Sequence, residues 1–446
     1  MRMGKVSPAA LTVLVAAMAA GCSGGSGAGA DKGQNDAGKS KPAEPSQEPV
    51  ELTLHGTMSG FTEDFMKAHF GTYIEKKFPN VKLKFLPTMV VEGAPRNTTT
   101  YLAAGQKFDL LNAPSGSTPG SVLENGLQID LTPYVKKYNF DLNRIEPSAL
   151  EIQRKFANGG VYGIPFTTNT LVLFYNKDLF SKFGVPLPTS SSTWDDLSEA
   201  IKKLSRTEAG VAYRGFTATY WHMFLLNQRS VPGQDAKTYK ALYTNDAYKK
   251  EMEFITGLFK IPGNDWTTNP SIAQMVDSFV KGTSAMYVGL DNTWQLYKFP
   301  KELNWDMIRL PERKEAPGTG PQTYPNYMYV TNMSANKDTA FQVIASLASE
   351  EFQTYYTKQG YLPILKDNAN LLKQFGADVP ELTGKNKDIM WPKLAAPTEV
   401  TKYQSIDLKY EQQLFADIVT GKKDINTALR DAAEAHDKDI AAQLSK

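Results

Sequence analysis

The chain has 446 residues, with 49 Lys and Arg against 47 Asp and Glu, one cysteine, and 22 Phe, 21 Tyr and 6 Trp. A near-neutral balance without a Lys/Arg run excludes the electrostatic footprint that gathers nucleic acid or heparin. One cysteine excludes an internal disulfide, so an ordinary core must hold a chain long enough for two domains or more. At the amino terminus Arg2 and Lys5 make a basic start, Pro8 to Ala20 is apolar and small, and Ala19-Ala20-Gly21-Cys22 reads as a small-residue cleavage site. The apolar stretch is too short for the ~20 residues of a membrane-spanning helix and fits a cleaved export signal. Ser23 to Pro49 is Gly, Ser, Ala, Lys, Glu and Pro with almost nothing to bury, and is expected to be a disordered tether.

Structure is expected from Val50. Val50, Leu52 and Leu54 alternate as in a strand, Phe61 to Ile74 carries helical spacing, and Val81, Leu83 and Phe85 alternate again. This predicts a parallel strand–helix–strand unit. A short helix is expected over 98–104, a buried strand over 108–111 and a helical turn over 121–124. Residues 161–180 read as mostly extended, with Leu171 to Tyr175 a continuous apolar run. Thr193, with Asp196 three residues on, predicts a capped helix bearing Leu197, Ile201 and Leu204 on one face; Trp194 and the acids there read as core and cap. Further strands are expected over 284–288, 306–310 and 327–330. The carboxyl-terminal part is expected to be helical, with Leu414, Ile418, Ile425, Leu429 and Ala433 as a buried stripe. The fold class is α/β.

The Cys22 site resembles the lipobox of bacterial lipoproteins, with Ala19 where leucine is usual. The resemblance implies lipidation of Cys22 and anchoring on the outer face of a cell membrane, in a Gram-positive bacterium. The body resembles the family 1 extracellular solute-binding proteins, the carbohydrate receptors of ABC importers related to maltose-binding protein. The resemblance rests on Tyr162-Gly163-Ile164-Pro165, Tyr175 to Phe180, Thr193-Trp194-Asp195-Asp196-Leu197 and Phe279 to Met286. It also rests on Tyr101 to Gly105 with Phe108-Asp109-Leu110, Gly126 to Leu131, Gly360-Tyr361-Leu362-Pro363, and Gly421 with Ile425 to Leu429. In order, these cover nearly the whole mature chain.

That resemblance implies a two-lobe, type II periplasmic-binding-protein-like fold with a hinge and a ligand cleft between the lobes. The expected layout is a signal over 1–21, a tether over 22–49, one lobe over 50–187 and 326–362, and a second over 188–325 and 363–446. Crossings are expected near Gly184 to Ser190, Tyr324 to Tyr327 and Tyr361 to Ile364. The implied function is to bind a carbohydrate, an oligosaccharide by expectation, and deliver it to the permease subunits as a monomer, without cofactor or metal. A neutral sugar needs flat aromatic faces and hydroxyl-bonding groups. The candidates lie just past strand ends: Thr57, Ser59, Asn112, Ser115, Phe166, Asn169, Trp221, Asp291, Trp294, Tyr324, Tyr327 and Trp391. The rival reading is an exported polysaccharide hydrolase, for which scattered histidines and the absence of an H-E-x-x-H motif give no support.

Overall fold

The computed structural model describes residues 48–445 except 60, 92 and 93, and of Ser59, Val91 and Ala94 the backbone alone. The expected signal, most of the tether and Cys22 lie outside the described residues. The first sheet begins with β1 (Val50–Ser59), β2 (Val81–Val91), β3 (Ala94–Arg96), β4 (Leu110–Pro114) and β5 (Gly163–Asn169). β1 and β2 run parallel from Val50↔Val81, with a helical segment over Glu63–Lys77 between them. That segment widens into a π-turn at Lys67–Gly71, and Gly71 leaves room for the Phe85 ring, since a Cβ there would lie 2.9 Å from Phe85 Cζ.

The second sheet takes β6 (Leu171–Asn176), β9 (Thr217–Ala218), β10 (Met286–Leu290) and β11 (Trp305–Arg309); β7 (Arg206–Glu208) and β8 (Val211–Tyr213) form a small hairpin. The chain then makes β12 (Gly320–Gln322), returns to the first sheet as β13 (Tyr324–Val330), and adds β14 (Leu394–Ala395) beside β12. The strand orders are β3-β2-β1-β4-β13-β5 and β11-β6-β10-β9.

Both sheets are covered on both faces, which explains their unbroken apolar runs. In β6, Leu171, Leu173 and Tyr175 enter one core while Val172 and Phe174 enter another. In β13, Met328 and Val330 enter one core of the first sheet, and Tyr327 and Tyr329 the other. Period-two alternation divides one hydrophobic string between two cores. Each fully buried large side chain contributes about 1.5–3 kcal/mol.

The sheets correct the expected lobe boundaries. β6 pairs with β10 and β11, so the chain leaves the first sheet at Thr170, well before the expected Gly184 to Ser190. The apolar run 171–175 gives no hint of this, because a strand buried on both faces looks the same in either sheet. The first lobe also holds the chain past Leu362. Ile364, Leu365 and Leu371 pack in its core, and Leu365 bridges to Ile145. The crossings are stitched together: Thr167 Oγ1 donates to Leu362 O at 2.7 Å, and the hydroxyls of Thr168 and Thr323 lie 2.9 Å apart.

The expected capping box at Thr193 is present: Asp196 N donates to Thr193 Oγ1 at 3.2 Å and Thr193 N donates to Asp196 Oδ2 at 2.9 Å. Trp194 is buried, its Nε1 donating to Gln228 Oε1 at 3.3 Å. The closing helices span Gln404–Val419 and Ile425–Leu444; Leu414, Ile418 and Leu429 are buried, and Ile425 and Ala433 pack half-buried beside them.

Candidate ligand-binding cleft

The carboxyl ends of β1, β4 and β9 open toward one space between the lobes. It is a cavity of about 260 Å³. The first lobe supplies Thr57, Met58, Pro114 and Ser117, and the second supplies Thr219, Trp221, His222, Tyr287 and Leu290. The short helix Thr293–Leu296 adds Thr293 and Leu296, with Tyr297 just beyond, and Tyr324 closes the hinge side.

Helix Tyr220–Leu225 starts two residues after β9, where Thr219 N donates to Val288 O at 2.8 Å. Its spacing divides its side chains. Tyr220, Met223 and Phe224 turn into the lobe core, with Tyr220 stacked on Phe415 at 3.7 Å between centroids. Trp221 and His222 turn toward the cavity, their rings 3.6 Å apart, and His222 meets Tyr324 edge-on at 5.2 Å. Three rings thus run from the second lobe to the hinge. Opposite them Gly116 permits the approach of the lobes: a Cβ there would lie 3.0 Å from both Leu225 Cδ2 and the Tyr324 hydroxyl. Away from the cavity, Ser405 Oγ donates to Glu124 Oε1 at 3.1 Å.

Among the described residues, no Lys, Arg, Asp or Glu lines the cavity. Burial pushes the His222 imidazole down to about 3, so it is neutral at physiological pH. Its Nδ1 and the hydroxyl of Thr57 are buried without a partner among the described residues. A partnerless buried polar atom is costly and marks where a ligand group can bond. The arrangement offers flat rings and a few neutral hydrogen-bonding groups.

The structure divides the candidates named from the sequence. Thr57, Trp221 and Tyr324 line the cavity. Ser59 ends β1, and its side chain lies outside the described ones. Asn112 lies within the first sheet, Nδ2 donating to Tyr327 O at 3.1 Å; Ser115 is buried, its N donating to Pro325 O at 2.9 Å. Phe166 packs edge-on against Phe70 at 5.5 Å, and the Tyr327 hydroxyl donates to Ala149 O at 2.7 Å. Asn169 and Asp291 bond each other in the hinge, Nδ2 to Oδ1 at 3.2 Å.

Trp294 is buried against Trp305, their centroids 6.3 Å apart, on the face of its helix turned from the cavity. Trp391 lies over Gly320, its Nε1 donating to Leu310 O at 2.9 Å. Sequence reasoning missed His222, Thr219, Tyr287 and Tyr297. A signal existed for His222, which directly follows Trp221 at the same strand exit.

Two lobes built on separate mixed sheets, with a ring-lined cavity at their junction, define a type II ligand-binding protein. The chain belongs to the family described as bacterial extracellular solute-binding protein, whose profile matches residues 53–354. Among relatives, it is 24% identical to the sn-glycerol-3-phosphate-binding periplasmic protein UgpB of Rhizobium meliloti (strain 1021), over 69% of this chain and 74% of that one. It is 27% identical to the arabinooligosaccharide-binding protein of Bacillus subtilis (strain 168), over 58% of this chain and 54% of that one. Its fold matches the ABC substrate-binding protein Lmo0181 from Listeria monocytogenes in complex with cycloalternan, with a TM-score of 0.70 at 19% identity, covering 88% of this chain and 100% of that one.

Proposed function

We propose that this chain is the receptor of an ABC importer, that it holds an uncharged carbohydrate between its lobes, and that it presents the closed complex to a membrane permease. The observation that carries this reading is the cavity itself, walled by Trp221, Tyr297 and Tyr324 and, among the described residues, lined by no charged side chain. Aromatic faces suit the C–H surfaces of a pyranose, and Thr57, Ser117, Thr219 and neutral His222 suit its hydroxyls. A volume near 260 Å³ is just below the ~300–1,000 Å³ of drug-sized pockets, which favours a ligand of one or two rings over a long oligosaccharide.

The names of the relatives point to two chemistries, a phosphorylated polyol and an oligosaccharide. A phosphate would enter a cavity without Lys or Arg, so the neutral sugar is the better fit. Arg214 packs over Trp266 at 3.9 Å and Arg229 pairs with Glu251 at 3.3 Å, both away from the cavity. Hydrolysis of a glycoside needs two carboxyl groups flanking the bond, and among the described residues no carboxylate lines the cavity. Lipidation of Cys22 would hold the receptor at the outer membrane face, with residues 23–49 as its tether.

A thermal-shift series with neutral mono- and disaccharides, followed by mass analysis of the recovered sugar, tests this. A stabilising sugar recovered intact supports a receptor. Shortened products would establish the hydrolase instead.

A further inference from the structure

Asp291 follows β10 in the second lobe and is fully buried, yet it lines no part of the cleft cavity. Its contacts go to the hinge. Asp291 N donates to Thr170 O at 3.0 Å, and Thr170 N donates back to Asp291 Oδ1 at 2.8 Å. Asn169 Nδ2 donates to the same oxygen at 3.2 Å, which ties the carboxyl to the first crossing. Asn169 Oδ1 accepts from Asn326 Nδ2 at 2.8 Å, which extends the chain of bonds to the second crossing. One side chain is therefore bonded to the first crossing and linked through Asn169 to the second. Its other oxygen, Oδ2, is buried with no protein partner, as are Oδ1 of Asn326 and of Asn292.

We propose that Asp291 is a proton-sensitive latch of the hinge: neutral, it holds the first two crossings in the lobe arrangement of this structure; ionised, it favours a wider arrangement in which water reaches Oδ2. This concerns the hinge and is independent of the ligand's identity. An ionised carboxylate held dry with one bare oxygen is unfavourable, and admitting water relieves it. Burial pushes the carboxyl up to about 7, against the opposing bonds from Thr170 and Asn169.

The groups around it do not mask the effect. The first crossing presents only Asn169 and Thr170. β13 presents Asn326, with the phenols of Tyr324 and Tyr327 raised by burial. The third crossing presents Tyr361, also raised by burial, and His69 packs edge-on to that ring at 5.2 Å, its own value pushed down to about 4 by burial. None of these changes charge between pH 6 and 8.

The test measures the lobe separation directly. In the full chain carrying Cys22→Ser, spin labels at Ala104→Cys and Lys250→Cys place one exposed probe on each lobe, and pulsed electron resonance reads their distance from pH 5.5 to 8.5 without ligand. The latch predicts a longer mean distance at high pH, with a midpoint no higher than about 7 because opening draws off the ionised form. It also predicts an Asp291→Asn variant that keeps the short distance throughout. If Asp291→Asn does not fold, Asp291→Ser serves as the uncharged variant. A distance independent of pH in the parent chain overturns the proposal. So does a pH-dependent shift that survives in the uncharged variant.

Discussion

Trp221 and Trp294 share a residue type and were equal candidates on sequence grounds, but their surroundings differ. Trp221 is half-buried at the cavity, against His222 and facing the other lobe. Trp221→Ala should weaken ligand binding by roughly 10- to 100-fold, about 1.4–3 kcal/mol, with the melting temperature little changed; equal affinities by calorimetry would remove Trp221 from the site. Trp294 is buried within the second lobe beside Trp305. Trp294→Ala should cost about 3–5 kcal/mol of unfolding free energy in a denaturant titration. A stable Trp294→Ala chain with lost binding would contradict this placement. Sequence could not separate the two because both follow a strand end. Trp221 begins a helix whose core face is taken by Tyr220, Met223 and Phe224, whereas Trp294 is itself the core residue of its short helix. The same limit hid the role of Asp291, whose position past β10 is legible but whose direction, into the hinge, is not.

At the scale of elements, local chemistry was the most legible part. The Thr193–Asp196 box, the β1–β2 pair and the closing helices lie where propensity and periodicity put them. Thr193→Ala should cost about 1 kcal/mol, read as a lower urea midpoint with an unchanged slope. What periodicity could not show is pairing across the lobes, since β6 would satisfy either sheet. It also could not show the buried acids on helix Gln404–Val419. Asp407 and Glu411 lie one turn apart and buried, bonded by the hydroxyls of Tyr243 at 2.6 Å and Tyr248 at 3.0 Å. Gly233 lies against both, and a Cβ there would stand 2.8 Å from Asp407 Oδ1 and 2.9 Å from Glu411 Oε1. Burial raises both carboxyls above their ordinary values. The folded chain therefore holds protons that the unfolded chain releases above about pH 4. Their contribution to stability is fully present below that pH and is lost as pH rises toward the folded-state values. Asp407→Asn, which keeps an acceptor for Tyr243, should raise the melting temperature at pH 8 and show a smaller gain at pH 5. A gain that is equal at both pH values would contradict the assignment.

For the whole molecule, the two-lobe class was legible because several short segments fall in family order along the chain, and the matching profile over residues 53–354 agrees. The identity of the cleft wall was not legible, because it depends on which strand ends converge after the sheets form. Convergence selects residues as distant as Thr57, Trp221 and Tyr324 and, among the described residues, leaves every charged side chain outside. The central claim is that this uncharged cavity receives a neutral sugar. The most direct measurement is calorimetric titration with neutral mono- and disaccharides, each beside its phosphorylated counterpart, on the parent chain and on Trp221→Ala. The account predicts one-to-one binding of a neutral sugar, no binding of its phosphate, and a 10- to 100-fold loss on Trp221→Ala, about 1.4–3 kcal/mol. Tighter binding of the phosphorylated partner, or sugar binding that Trp221→Ala leaves untouched, would contradict it.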